Sequence, residues 1–133
     1  MALAKKDGEK DVETRYALPN LYVDGNTKHA RAFNCVQRSH QQAFETLPQL
    51  YVFTLIATLL FPVTAAVNVG LWLVGRMVWT KGYASSEGDA SKRYDHPLAF
   101  LIFASFMAQF FVAVAAAGEI AGLWAAARGL VGA

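Results

Sequence analysis

The chain has 133 residues, a net charge of +2 and a hydrophobic content of 55%, which bounds it to a single domain and leaves no basic excess to gather a nucleic acid. The apolar residues concentrate after Gln49 instead of interleaving with charges, the reverse of a small soluble domain. A lone cysteine, Cys35, excludes an internal disulfide and any cysteine pair for metal or redox chemistry, and His29, His40 and His96 lie on separate segments with no metal-ligand spacing.

Residues 1–28 read as a polar amino-terminal segment. Basic and acidic residues alternate from Lys5 to Arg15, which argues against an Arg-rich, acid-poor transit peptide. Residues 29–133 read as a membrane domain. A helix is expected from about His29, and on it Arg38, Gln41 or Gln42, and Glu45 recur at spacings of three and four, which puts them on one face.

From Gln49 to Gly75 and again from Leu98 to Gly118 there is no Asp, Glu, Lys or Arg. A helix of roughly 20 apolar residues crosses the hydrocarbon core, so both runs qualify as spans. Pro62 interrupts the first run, and a proline there is either a kink or the start of a new helix. Charge chooses between them. Lys5, Lys6, Lys10, Arg15, Lys28, Arg31 and Arg38 precede the apolar half, Arg76, Lys81, Lys92 and Arg93 flank the central loop from Gly82 to Pro97, and only Arg128 falls elsewhere. A turn at Pro62 collects eleven of the twelve basic residues on one face, which the positive-inside tendency assigns to the cytoplasm. The expectation is therefore an all-α integral membrane bundle of three transmembrane helices, near Gln41 to Phe61, Pro62 to Tyr83 and Leu98 to Gly118.

On the second of these helices Arg76, Trp79 or Thr80, and Tyr83 share a face that could meet Arg38, Gln42 and Glu45, with Lys92 and Arg93 folding over both. Two arginines for carboxylates, a glutamate for an ammonium, and amide and phenol groups would suit a small zwitterionic peptide. The other reading of the same residues is an internal Arg38–Glu45 pair, a snorkelling Arg76, and Trp79 and Tyr83 in an interfacial aromatic belt.

The stretch Phe33-Asn34-Cys35-Val36-Gln37-Arg38-Ser39-His40-Gln41-Gln42-Ala43-Phe44-Glu45, followed by Pro48, resembles the second-helix signature of the MAPEG family, the membrane-associated proteins in eicosanoid and glutathione metabolism. Pro19-Asn20-Leu21-Tyr22, Gly75-Arg76 to Gly82-Tyr83, and Ser91-Lys92-Arg93 agree in order, and the likeness is greatest to the type three microsomal glutathione transferase branch. Gln42 stands where that signature usually has asparagine, and Trp79 where it usually has tyrosine. The resemblance implies a four-helix subunit of which the first helix is lacking here, assembled as a homotrimer in the endoplasmic reticulum or another internal membrane.

It further implies glutathione as co-substrate, with no metal, bound between subunits at the cytoplasmic end. Arg38, Gln42, Glu45, Trp79 and Tyr83 would be the glutathione contacts and Arg93 the catalytic group that favours the thiolate. The implied activity is transferase or peroxidase chemistry on lipophilic electrophiles or lipid hydroperoxides arriving from membrane lipid. A non-catalytic family member that binds or scaffolds is the alternative.

Overall fold

The computed structural model describes residues 2–16, 21–85 and 87–131, so Pro19 and Asn20 of the family-like stretch lie outside the described residues. The chain runs α1 (Ala2–Lys6), α2 (Val12–Arg15), α3 (Lys28–Thr58), α4 (Pro62–Ala84), α5 (Leu101–Ile120) and α6 (Leu123–Val131). Two short 3-10 turns, Ala90–Tyr94 and Pro97–Phe100, join α4 to α5. Among the described residues there is no strand. The helices α3, α4 and α5 pack on one another as a three-helix bundle, and α6 folds against α5.

Local chemistry sets the helix ends. The Thr27 side chain accepts a hydrogen bond from the Ala30 amide at 3.2 Å and caps α3. That helix continues through Pro48, whose missing N–H deprives the Phe44 carbonyl of its helical partner. It stops at Thr58, Leu59 and Leu60 make the turn, and α4 begins with Pro62 in its first turn, where a proline removes no bond. The helical hairpin expected from the charge distribution is thus present, and it brings the central loop back beside the amino-terminal segment.

Two helices, Pro62–Ala84 and Pro97–Ile120, are long and apolar enough to cross a membrane, and only 22% and 28% of their most apolar stretches are buried. The core helix of a soluble protein would be mostly buried, whereas Val63, Met77 and Phe111 point outward. The third expected span, on α3, does not meet the same test. Its last charge is Glu45 and its last residue Thr58, because the turn before Pro62 ends the helix there, so its uncharged portion is short.

The bundle is packed differently at its two ends. Toward the hairpin turn the buried residues are Ala57, Ala65 and Ala113, flanked by Phe53, Ile56 and Val112. Toward the central loop the core is Cys35, Leu50, Trp72, Trp79, Tyr83, Ala99 and Ile102. Within this second core, between Trp72 and Trp79, Gly75 permits a close approach of α4 and α5. A Cβ there would lie 2.5 Å from the Ile102 backbone nitrogen.

The amino-terminal segment is attached to the polar half of α3. Ala4, Val12, Tyr16 and Val23 bury against Ala30 and Phe33. Asn34 clamps the segment by donating from Nδ2 to the Val23 carbonyl at 2.9 Å and accepting the Val23 amide on Oδ1 at 2.8 Å. Tyr16 donates its hydroxyl to Glu9 at 2.7 Å, and Asp7 pairs with His29 at 2.6 Å. Lys28 reaches Glu87 at 2.7 Å, tying the central loop to the base of α3.

Candidate functional site

The polar residues singled out above gather at the loop end of the bundle. Arg38 and Glu45, two turns apart on α3, pair at 3.1 Å with both side chains half exposed. The Glu45 carboxylate, with help from the Tyr22 hydroxyl, holds the Arg38 guanidinium above its ordinary pKa. Arg76 does not snorkel to the surface. It reaches from α4 across to α3 and donates to the Gln42 side-chain oxygen and the Ser39 carbonyl, so the two polar faces do meet. Its guanidinium also lies 5.0 Å from the centre of the Trp79 ring.

Trp79 and Tyr83 are buried and stacked, with ring centroids 5.0 Å apart at 20°, and they form part of the core and not an interfacial belt. The Trp79 indole N–H is enclosed without a hydrogen-bond partner. Arg93 approaches Tyr83 from the loop. Its terminal nitrogen lies 3.3 Å from the Tyr83 hydroxyl, and its guanidinium covers the faces of Tyr83 and Tyr94 at 5.2 and 4.8 Å. Burial opposes the Arg93 charge, but Tyr94 and Tyr83 outweigh it and keep the group above its ordinary pKa, so the charge is permanent.

Backbone packing fixes where that charge stands. Asp89 caps the 3-10 turn by accepting the Ser91 amide at 3.0 Å and the Ser91 hydroxyl at 2.7 Å. The carbonyl of Lys92 then rests on Gly82, where a Cβ would come within 2.7 Å of it. Glycine at this position of α4 is what lets the Lys92-Arg93 backbone lie so close to the helix.

Two cavities open here, on either side of Tyr83 and Arg93. One, of about 370 Å³, is lined by Tyr22, Arg31, Asn34, Cys35, Arg38 and Tyr83. The other, of about 490 Å³, lies between the end of α4 and the loop and is lined by Arg93 with Lys81, Lys92 and His96 among others. Both fall within the roughly 300–1,000 Å³ usual for small-molecule sites. Of the six residues expected to form a site, Arg38 and Tyr83 line the first cavity and Arg93 the second. Gln42 and Glu45 are engaged with Arg76 and Arg38, and Trp79 is sealed in the core.

Sequence reasoning missed Arg31 and Cys35 as cavity walls and gave Ser39 no role. It also missed Tyr22, whose hydroxyl donates to Gln41 beside Arg38. A helical-wheel reading of α3 could have found Arg31 and Cys35, which sit two turns and one turn before Arg38 on its face. Among the described residues no group of three His, Cys, Asp or Glu side chains is placed to hold a metal. His96 instead caps the Pro97–Phe100 turn by accepting the Leu98 amide at 3.2 Å.

No solved structure matches the chain. The MAPEG family model does, over residues 10–118. That match takes in the Val23–Asn34 clamp, the hairpin and the loop bearing Arg93, and with it the chain is a member of the MAPEG family of membrane proteins.

Proposed function

We propose that this protein is a membrane glutathione transferase and peroxidase, nearest in kind to the type three microsomal glutathione transferases. Family membership agrees with a role in glutathione or eicosanoid metabolism. The observation that carries the finer reading is that Arg38 and Tyr83 line one cavity of small-molecule size, while Arg93, on the wall of the neighbouring cavity, reaches the Tyr83 hydroxyl at 3.3 Å.

In this reading glutathione lies across Tyr83. Arg38 holds a carboxylate, Glu45 the ammonium, and the Gln42 amide nitrogen, left free while its oxygen serves Arg76, donates to the peptide. Arg93 faces the sulfur. A thiol with a pKa of about 8.5 loses its proton near neutrality when an adjacent guanidinium lowers that value by roughly one to three units. The thiolate then attacks a lipophilic electrophile and expels its leaving group. Alternatively it attacks the terminal oxygen of a lipid hydroperoxide, breaking the O–O bond to give the glutathione sulfenic acid and the alcohol, and a second glutathione then forms the disulfide with release of water.

The same reading includes three transmembrane helices, with α3 supplying the third, and a cytoplasmic site in the endoplasmic reticulum membrane. It also includes a homotrimer whose neighbouring subunits complete the glutathione site. A second reading, a non-catalytic member that binds without activating, is favoured by Trp79, whose indole replaces a phenol and is turned into the core.

Ultraviolet difference absorbance of glutathione on the purified protein separates them. A thiolate signal near neutral pH that vanishes in Arg93→Ala is expected. Glutathione binding with no thiolate in the native chain would favour the non-catalytic reading, and no binding at all would sink both.

A further inference from the structure

The cavity between the end of α4 and the central loop is shared with Arg93, but it carries further groups that the glutathione reading does not use. Its lining holds Lys81, Lys92, Arg93 and His96 against one carboxylate, Asp95, with Val78 and Leu98 as the apolar part. Among the described residues neither lysine makes an ion pair, and Lys92 feels Glu87 and Asp89 only through space. His96 spends its Nδ1 on the Leu98 amide, which leaves Nε2 for another partner.

The cleft is pre-formed. The Asp89 cap and the seat of the Lys92 carbonyl on Gly82 hold the loop against α4, so the two lysines are brought together by backbone packing and not by chance side-chain placement. The cleft is also continuous with an apolar surface. Leu71, Val74, Val78 and Lys81 succeed one another at helical spacing along α4, and Leu71 and Val74 are exposed on a helix apolar enough to cross a membrane. Across from them Leu98 is exposed at the start of the second such helix.

A cationic pocket at the membrane boundary, opening onto an apolar track along a spanning helix, has the outline of one kind of ligand: an anionic headgroup with an acyl chain below it. We propose that this cleft binds the phosphate of an anionic phospholipid through Lys81, Lys92 and the His96 Nε2, with the chain lying along Val78 and Val74. The proposal rests on the membrane character of the protein and not on its use of glutathione.

The test is titration of short-chain phosphatidylglycerol and phosphatidylcholine onto the full chain in an uncharged detergent, read by native mass spectrometry. A basic residue near an anionic lipid is worth about fivefold in affinity. The double variant Lys81→Gln, Lys92→Gln should therefore lose about 25-fold for phosphatidylglycerol and little for phosphatidylcholine. Asp95→Asn, which removes the one opposing charge, should gain about fivefold and guards against a merely unfolded double variant.

Equal affinity of the native chain for the two lipids would overturn the proposal, as would phosphatidylglycerol binding that neither variant changes. Displacement of the lipid by inorganic phosphate at equal concentration would make the cleft a site for a free anion and remove the lipid.

Discussion

The two ends of the bundle are built on opposite principles. At the hairpin turn three buried alanines bring α3, α4 and α5 together with no charge among them, and Phe53, Ile56 and Val112 pack around them. At the loop end the core is aromatic, built on Trp72, Trp79 and Tyr83, and charged side chains from α3, α4 and the loop gather beside it. Both cavities described above lie at this second end. The apolar end is close-packed, whereas the loop end combines aromatic rings with polar side chains that line open space.

If the ends are independent, a change at one should leave the other intact. Ala65→Leu inserts three carbons at a fully buried position of the tight end and should cost about 3 kcal/mol, read as a fall in thermal unfolding temperature in detergent. Glutathione affinity of the protein that remains folded should be unchanged. A parallel fall in affinity would show the two ends to be one mechanical unit.

Gly82→Ala acts at the open end. The new Cβ meets the Lys92 carbonyl at 2.7 Å, so the loop must shift, at a cost of about 1 to 2 kcal/mol. Thiolate formation should fall far more than stability does, because Arg93 moves with the backbone. Retention of the full thiolate signal would mean that the loop position is not what places the charge.

The smallest change is expected from Glu45→Gln. Glu45 and Arg38 are half exposed, and such pairs contribute less than about 1 kcal/mol, so unfolding should barely move. Loss of the charge that would hold the glutathione ammonium should still weaken binding about tenfold by calorimetry. Loss of fold without any effect on glutathione would instead make the pair structural.

The hairpin was legible in the sequence because proline at the start of a helix and an uneven distribution of lysine and arginine are both local and countable. So was the shared face of Arg38, Gln42 and Glu45, which follows from helical spacing alone. The contact of Arg76 with Ser39 and Gln42 was not fixed that way, since periodicity gives a face but not the partner it meets 34 and 37 residues away. The Asn34 clamp on Val23 was invisible for a related reason, because a side chain bonding to irregular backbone leaves no periodic trace. The burial of Trp79 and Tyr83 also escaped, as composition does not distinguish an aromatic belt from an aromatic core. The end of α3 was placed too far along the chain by counting Leu59 to Phe61 as helix, when they form the turn and the cap of α4.

That turn has a consequence for the surrounding lipid. From Glu45 to the end of α3, and from Pro62 to Arg76 on α4, the uncharged rise is about 20 Å, while Leu98 to Gly118 gives about 30 Å. The hydrophobic girdle is therefore about 10 Å shorter along the hairpin than along α5. A bilayer meets this step by thinning on one flank, which draws headgroups and water down to the level of Arg76 and Gln42. Hydrophobic mismatch around the perimeter thus gives the protein a preferred side from which an amphiphile can arrive.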